Sequence, residues 1–148
     1  MTPVQVRILV VEDERQWQVA IRQAFEELGC VVDVVDNNED ALRKLNDNTY
    51  HLMTIDNQLF NKEKGDLDPH EGLRLADILH QRSWFGPYKA LHSAVITSVD
   101  KGVKLVRDML ARFEVDYYFP KEIEDDYRKE MEPGGTFHEL IEVLKHPP

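Results

Sequence analysis

The sequence predicts an α/β fold in which a parallel sheet of five strands carries helices on both faces. Five short, mostly apolar runs each end in a polar turn, and each is followed by a segment with apolar residues at helical spacings. Strands that alternate with helices in this way favour a parallel sheet, and right-handed crossovers leave few ways to wind it. The length of 148 residues suits one domain, predicted to span 1–148 with its core at about 6–145.

The first strand and the first helix have the clearest patterns. Residues Val6–Val11 are nearly all apolar, as expected for a strand that is covered on both faces. Trp17 and Phe25 belong to a run of apolar residues at spacings of three and four, and Gly29 marks the end of that helix. Asn38 is the predicted N-cap of the second helix. The other predicted strands are 31–35, 51–56, 94–98 and 116–119, and the other predicted helices centre on 41–45, 73–79, 103–113 and 137–144.

Composition excludes several classes of protein. The net charge of −10 argues against direct binding of nucleic acid, because a phosphate backbone needs a basic surface. No apolar run is long enough to span a membrane. The single Cys30 cannot form an internal disulfide, and it is predicted to be a small buried residue. These features indicate a cytoplasmic protein with no membrane partner.

Polar side chains follow the ends of four predicted strands. They are Glu12 and Asp13 after the first, Asp56 at the end of the third, Thr97 and Ser98 at the end of the fourth and Lys121 after the fifth. A parallel sheet brings these ends to one edge, where α/β proteins bind their ligands. Three carboxylates there repel one another and require a cation, for which magnesium is the natural candidate. A hydroxyl and an ammonium group would suit the oxygens of a phosphoryl group.

These residues, in this order, resemble the receiver domain of two-component response regulators. The resemblance covers nearly the whole chain and implies a doubly wound, flavodoxin-like sheet with strand order 2-1-3-4-5. It implies that Asp56 accepts a phosphoryl group from a sensor histidine kinase or a phosphotransfer protein. It further implies that Asp13, Asp56 and the backbone carbonyl of Gln58 bind magnesium directly, and that Glu12 acts through water. Lys121 would pair first with Asp56 and then with the phosphoryl oxygens.

The resemblance also implies a switch and a set of partners. Thr97 would move inward to bind the phosphoryl group, and Tyr118 would fill the space that Thr97 leaves. This movement would change the face formed by the fourth helix, the fifth strand and the last helix, where a downstream protein, an effector domain or a second copy could bind. The chain is then not an enzyme in its own right, although it assists its own phosphorylation and dephosphorylation.

Two enlarged loops depart from the family's pattern, after the third strand at 61–70 and after the fifth strand at 122–135. The first could shield the phosphoryl group or offer a partner surface, but disorder or simple tolerance of the insertion is the favoured interpretation. Near the second, Pro120 precedes Lys121 and Glu122 follows, whereas the family usually places proline after the lysine.

The same residues could also belong to a protein with a different function. The chain could be a pseudo-receiver that binds partners without phosphorylation, an alternative favoured only by the altered surroundings of Lys121. A hydrolase of the haloacid-dehalogenase kind would need a second aspartate where Gln58 stands. Asp66, Asp68 and Glu71 lack the spacing and the glycine of a calcium-binding loop.

Overall fold

The computed structural model describes residues 3–56, 59–61, 63–68, 71–81, 93–98, 117–120 and 126–146. Its strands are β1 (Arg7–Val11), β2 (Val31–Val35), β3 (Leu52–Asp56), β4 (Leu59–Asn61), β5 (Asp66–Asp68), β6 (Ser93–Ser98) and β7 (Tyr117–Pro120). Its helices are α1 (Arg15–Glu27), α2 (Asn38–Asp47), α3 (Glu71–Gln81), α4 (Asp126–Met131) and α5 (Thr136–Lys145). The predicted helix at 103–113 lies outside the described residues.

The main sheet is parallel, as the sequence predicts. Its strands pair in the order β2-β1-β3-β6-β7, and each neighbouring pair is parallel. The strand β1 pairs with β2 on one side and with β3 on the other. Strands on both edges of β1 and helices over both of its faces leave Ile8, Leu9, Val10 and Val11 fully buried.

Helices cover both faces of this sheet, and the side chains of β1 point alternately into the two cores that the helices form with it. Ile8 and Val10 pack into one core with residues of α1 and α5, while Leu9 and Val11 pack into the other with residues of α2 and α3. In the first core Phe25 of α1 meets Phe137 of α5 edge to face, with ring centroids 6.2 Å apart. Within the described part of the chain, no helix is long and apolar enough to cross a membrane.

The N-cap of α2 is Asn37, and the prediction of Asn38 was wrong by one residue. The Asn37 side chain accepts a hydrogen bond from the backbone N–H of Asp40 at 2.9 Å. Asn38 lies in the first turn instead, where its buried amide donates to the backbone carbonyl of Glu71 at 3.0 Å. This tertiary contact joins the start of α2 to the start of α3, and it decides which of the two adjacent asparagines caps the helix.

A cluster of polar side chains that contact one another lies where β1 and β3 begin. Tyr50 is fully buried, and its hydroxyl donates to Asp33 at 2.5 Å. The Arg7 guanidinium lies 3.5 Å from the same carboxylate and 5.5 Å from the centre of the Tyr50 ring. Burial and the neighbouring Asp33 both raise the pKa of Tyr50 above its usual range. At this edge, therefore, the charged groups have partners of opposite sign.

Both regions that the sequence analysis described as enlarged loops contain regular structure. After β3, the strands β4 and β5 form an antiparallel hairpin, with Gly65 in its turn at a φ of 67°. After β7, the short helix α4 precedes α5, and Gly134 between them has a φ of 90°. Residues 62, 69–70 and 121–125 of these regions lie outside the described part.

We expect Asn37→Ala to lower the free energy of unfolding by about 1 kcal/mol, the usual cost of losing an N-cap. The backbone N–H of Asp40 would lose its acceptor. Urea denaturation measures the change. The matched control is Asn48→Ala at the other end of α2, where the Asn48 amide only donates to an exposed helix-end carbonyl and the loss should stay within about 0.5 kcal/mol. Equal losses in the two variants would contradict the assignment of the cap.

Candidate functional site

Three carboxylates meet at the edge where β1 and β3 end. Val11 and Ile55 are partners across the two parallel strands, so that the next residues, Glu12 and Asp56, lie side by side where the two strands end. Asp13 follows Glu12 directly. One carboxylate oxygen from each of the three residues lies within 4.8 Å of the others. The structure therefore brings together the three acidic residues that the sequence analysis singled out.

Glu12 is held in place by its own backbone neighbours. Its side chain is fully buried, and its Oε2 accepts hydrogen bonds from the backbone N–H of Asp13 at 3.0 Å and of Glu14 at 3.5 Å. The side-chain amide of Gln18, on α1, donates to the Glu12 backbone carbonyl at 2.7 Å. The Glu12 N–H donates to Val35 at the end of β2. Strand and helix together therefore fix this carboxylate.

Burial and mutual repulsion make the cluster electrostatically costly. Asp56 is only 6% exposed, and Asp13 is partly buried beside it. Loss of water around Asp13 and, to a smaller extent, the negative charge of Asp56 together raise the pKa of Asp13 from 3.8 to about 6. The Asp13 backbone N–H and Glu12 oppose this shift only in part. A bound cation would relieve the repulsion.

The donor set fits magnesium. Magnesium takes oxygen ligands at about 2.0–2.1 Å in an octahedron, so that oxygens on opposite sides of the ion lie about 4.2 Å apart. The three carboxylate oxygens, within 4.8 Å of one another, are close to that span. Magnesium also keeps several waters and accepts one or two carboxylates together with phosphate oxygens. A site of three acidic residues at an open sheet edge suits this preference.

The remaining predicted site residues are placed through the backbone or lie outside the described residues. Thr97, in β6, is the register partner of Asp56 in β3, so its backbone lies directly beside the acidic cluster. Tyr118, in β7, is the partner of Ile96, one residue before Thr97. Gln58 and Lys121 lie outside the part of the chain that the structure describes. Their predicted roles stay predictions.

A second charged cluster joins β5 to α3, and it was not predicted from the sequence. Asp68 of β5 is 3% exposed and contacts both Lys64 and Arg74, and Arg74 also binds the buried Glu71. The hairpin itself had a sequence signal, since apolar residues flank a short loop that contains Gly65. The ionic contacts had none, because they depend on how β5 meets α3.

Fold and site together define an α/β protein with a cluster of three carboxylates at the carboxyl edge of a parallel sheet. Residues 8–130 match the family model described as the response regulator receiver domain. The chain therefore belongs to the response regulator receiver domain family, as its sequence motifs predict. No curated protein matches the chain.

Solved receiver domains share the fold of this chain. A CheY-like response regulator receiver domain protein from Methanospirillum hungatei JF-1 is 18% identical, with a TM-score of 0.69 over 98% of this chain and 100% of that one. The response regulator TrrA from Thermotoga maritima, solved in complex with Mg(2+)-BeF, is 21% identical, with a TM-score of 0.65 over 95% and 99% of the two chains. A CheY-like receiver domain from Methylobacillus flagellatus is 25% identical, with a TM-score of 0.64 over 93% and 99%.

We expect Asp13→Asn to stabilise the metal-free protein at neutral pH. The folded state holds the Asp13 proton more tightly than the unfolded state, because its pKa is raised from 3.8 to about 6. The charged carboxylate therefore costs stability as the pH rises from about 4 to about 6, and the full cost is present above that range. The gain in the free energy of unfolding of Asp13→Asn should be largest near pH 7 and should vanish near pH 4. Solvent screening makes it smaller than the pKa alone implies, because Asp13 is partly exposed.

Thermal unfolding in a chelator at several pH values measures this gain, with Glu14→Gln as the matched control. Glu14 is the exposed neighbouring acid, and its side chain makes no hydrogen bond that caps α1. A gain in Asp13→Asn that is independent of pH, or an equal gain in the control, would contradict the prediction. Added magnesium should remove the advantage of the variant, because it stabilises only a protein that can bind it.

Proposed function

We propose that this chain is a phosphorylatable receiver domain and that Asp56 accepts a phosphoryl group from a phosphohistidine on a sensor kinase or a phosphotransfer protein. One observation carries the proposal. In a chain of the receiver family, the carboxylate at the end of β3 lies with two other carboxylates at the carboxyl edge of a parallel sheet. In α/β proteins this edge is where ligands bind.

The transfer exchanges one bond to phosphorus for another. A carboxylate oxygen of Asp56 attacks the phosphorus in line with the bond to the departing group. That bond, P–N in a phosphohistidine or P–O in acetyl phosphate, breaks as the new P–O bond forms. The imidazole or acetate leaves with the electron pair. Such reactions depend mostly on positioning and on stabilising the charge of the equatorial oxygens.

Asp13, Asp56 and the backbone carbonyl of Gln58 would hold magnesium directly, with Glu12 acting through a water molecule. The bound ion offsets the negative charge of the carboxylates and of the incoming phosphoryl oxygens. The solved complex of the similar TrrA with Mg(2+)-BeF supports this assignment by analogy. The buried Glu12, fixed by the N–H groups that follow it, keeps its carboxylate in place whether or not Asp56 carries a phosphoryl group.

Three further residues complete the proposed switch. Lys121 pairs with Asp56 and then with the phosphoryl oxygens, and Thr97 moves inward to hydrogen-bond them. The backbone of Thr97 is already beside that of Asp56 across the β3–β6 pair. Tyr118, on the adjacent strand, then fills the space that Thr97 leaves. A change in charge at Asp56 is thereby converted into a change in packing at the far side of the sheet.

The proposed domain spans 1–148 as one doubly wound sheet of order 2-1-3-4-5, and its output is contact with another protein. The face of the predicted fourth helix (103–113), β7 and the last helix would bind a downstream protein, an effector domain or a second copy. We place the protein in the cytoplasm, without nucleic acid or membrane as a direct partner. The net charge of −10 supports the absence of a nucleic-acid surface.

We expect incubation with acetyl phosphate and magnesium to add one phosphoryl group, visible in the intact mass. Asp56→Ala should abolish the adduct, because the accepting oxygen is gone. Asp47→Asn, which removes an exposed carboxylate at the end of α2, should leave the adduct unchanged. A chelator should prevent the adduct in every variant.

An adduct that persists in Asp56→Ala would contradict the choice of acceptor, and one that forms without magnesium would contradict the metal site. If no adduct forms and beryllofluoride with magnesium does not bind either, the chain is a pseudo-receiver. Its partners would then recognise the unphosphorylated fold.

A further inference from the structure

The hairpin of β4 and β5 is anchored in the core beside Asp56. Leu59, three residues after Asp56, is fully buried and belongs to the same core as Ile55, Leu75 and Leu79. Three residues of extended chain span at most about 10–11 Å, so that the base of the hairpin cannot lie far from the acceptor carboxylate. The hairpin is thus fastened to β3 and α3 at its base.

The turn of the hairpin is closed by its own hydrogen bonds. The Asn61 side chain accepts from the backbone N–H of Lys64 at 3.0 Å, and the Asn61 carbonyl accepts from the N–H of Gly65 at 2.8 Å. Gly65 has a φ of 67°, a conformation that glycine adopts without strain. An asparagine side chain that bonds nearby backbone in this way stabilises a turn locally. The hairpin therefore has a defined shape up to its exposed turn.

An ionic clasp, made of Lys64, Asp68, Glu71 and Arg74, fixes the second strand of the hairpin to α3. The Asp68 carboxylate is buried, with the Lys64 ammonium at 2.8 Å and the Arg74 guanidinium in close contact. The same Arg74 nitrogen lies 3.0 Å from the buried Glu71 carboxylate. Two buried carboxylates are thus matched by two cations whose side chains reach in from the surface. Removing one partner of such a buried pair is strongly unfavourable, because it leaves a charge unpaired.

The clasp lies at the same edge of the sheet as the acidic cluster. Glu71 begins α3, and its backbone carbonyl accepts from Asn38 at the start of α2. The helix α2 starts just after β2 ends, and the backbone at the end of β2 accepts a hydrogen bond from Glu12. A continuous set of contacts therefore connects the clasp to the edge where Glu12, Asp13 and Asp56 meet.

We propose that the paired strands β4 and β5 form a fixed wall beside Asp56 that slows hydrolysis of the phosphoryl-aspartate, and that Asp68, Lys64 and Arg74 are positioning residues that hold this wall. The inference rests on the proposed function. In hydrolysis, a water oxygen bonds to phosphorus and the bond from phosphorus to the Asp56 oxygen breaks. This releases inorganic phosphate and restores the carboxylate. The water must approach in line with the breaking bond. A wall held at the edge of the site limits that approach, whereas a loosened hairpin admits water.

The test compares the lifetime of the phosphoryl group in clasp variants and in the wild-type protein. Each protein is loaded with acetyl phosphate and magnesium, the donor is removed, and the intact mass is followed over time. Arg74→Met and Lys64→Met each remove one cation of the clasp, and both alter exposed side chains. Asp68→Asn neutralises the carboxylate that both cations contact. Arg43→Met is the matched control, since Arg43 forms an exposed ion pair with Asp40 on α2.

We expect the clasp variants to lose the phosphoryl group about fivefold faster or more, which corresponds to about 1 kcal/mol of barrier height. Arg74→Lys, which keeps a cation at the same place, should restore much of the lifetime. The control should stay within about twofold of the wild type. The affinity for magnesium, measured by calorimetric titration, should be the same in all variants, because none of the substituted residues is a proposed metal ligand.

Two results would overturn the inference while the proposed function stands. One is a wild-type lifetime in Arg74→Met and Lys64→Met, which carry the test even if Asp68→Asn does not fold. The other is a weaker affinity for magnesium in parallel with the faster loss, since that pattern indicates a general distortion of the site. A wild-type protein that takes up no phosphoryl group would instead overturn the proposed function, and the inference with it.

Discussion

Repulsion among Glu12, Asp13 and Asp56 is the constraint on which the rest of the site depends, and the backbone imposes it. The carboxylates cannot move apart, because the parallel pairing of β1 with β3 fixes where the two strands end. Both strands are buried on both faces, so the two cores hold the charges together. Burial first, and the charge of Asp56 second, raise the pKa of Asp13, so that its charged form is costly in the folded protein. Binding of a proton or a cation lowers the electrostatic cost of the three carboxylates. The occupancy of the site is therefore linked to the stability of the fold.

The charged side chains at the two ends of β1 and β3 are arranged in opposite ways. Where β1 and β3 begin, Arg7 and the Tyr50 hydroxyl both contact the Asp33 carboxylate. Where they end, three groups of like sign share one small volume. The first arrangement pairs charges of opposite sign, whereas in the second a bound cation would offset charges of like sign.

Much of the fold and of the acidic cluster could be predicted, because both depend on local patterns. A buried strand that ends abruptly in a carboxylate is visible in the sequence, and parallel topology brings such ends together. The cap of α2 could not be settled that way, since Asn37 and Asn38 are equally good caps and only the Glu71 carbonyl separates them. The clasp at Asp68 depends on contacts with α3 that no local pattern encodes. Features that depend on tertiary contacts, such as these two, therefore could not be predicted from the sequence.

The burial of Cys30 has a practical consequence. The thiol is 6% exposed, and burial raises its pKa to about 11, although Lys145 opposes the shift. At neutral pH only about one molecule in ten thousand would carry the reactive thiolate. Since Cys30 is the single cysteine of this sequence, the unaltered chain of 148 residues provides an unreactive background for thiol labelling. A cysteine introduced at an exposed hairpin position such as Asp66 would then carry a fluorophore alone, and the dye would report on this part of the surface without any prior removal of native thiols.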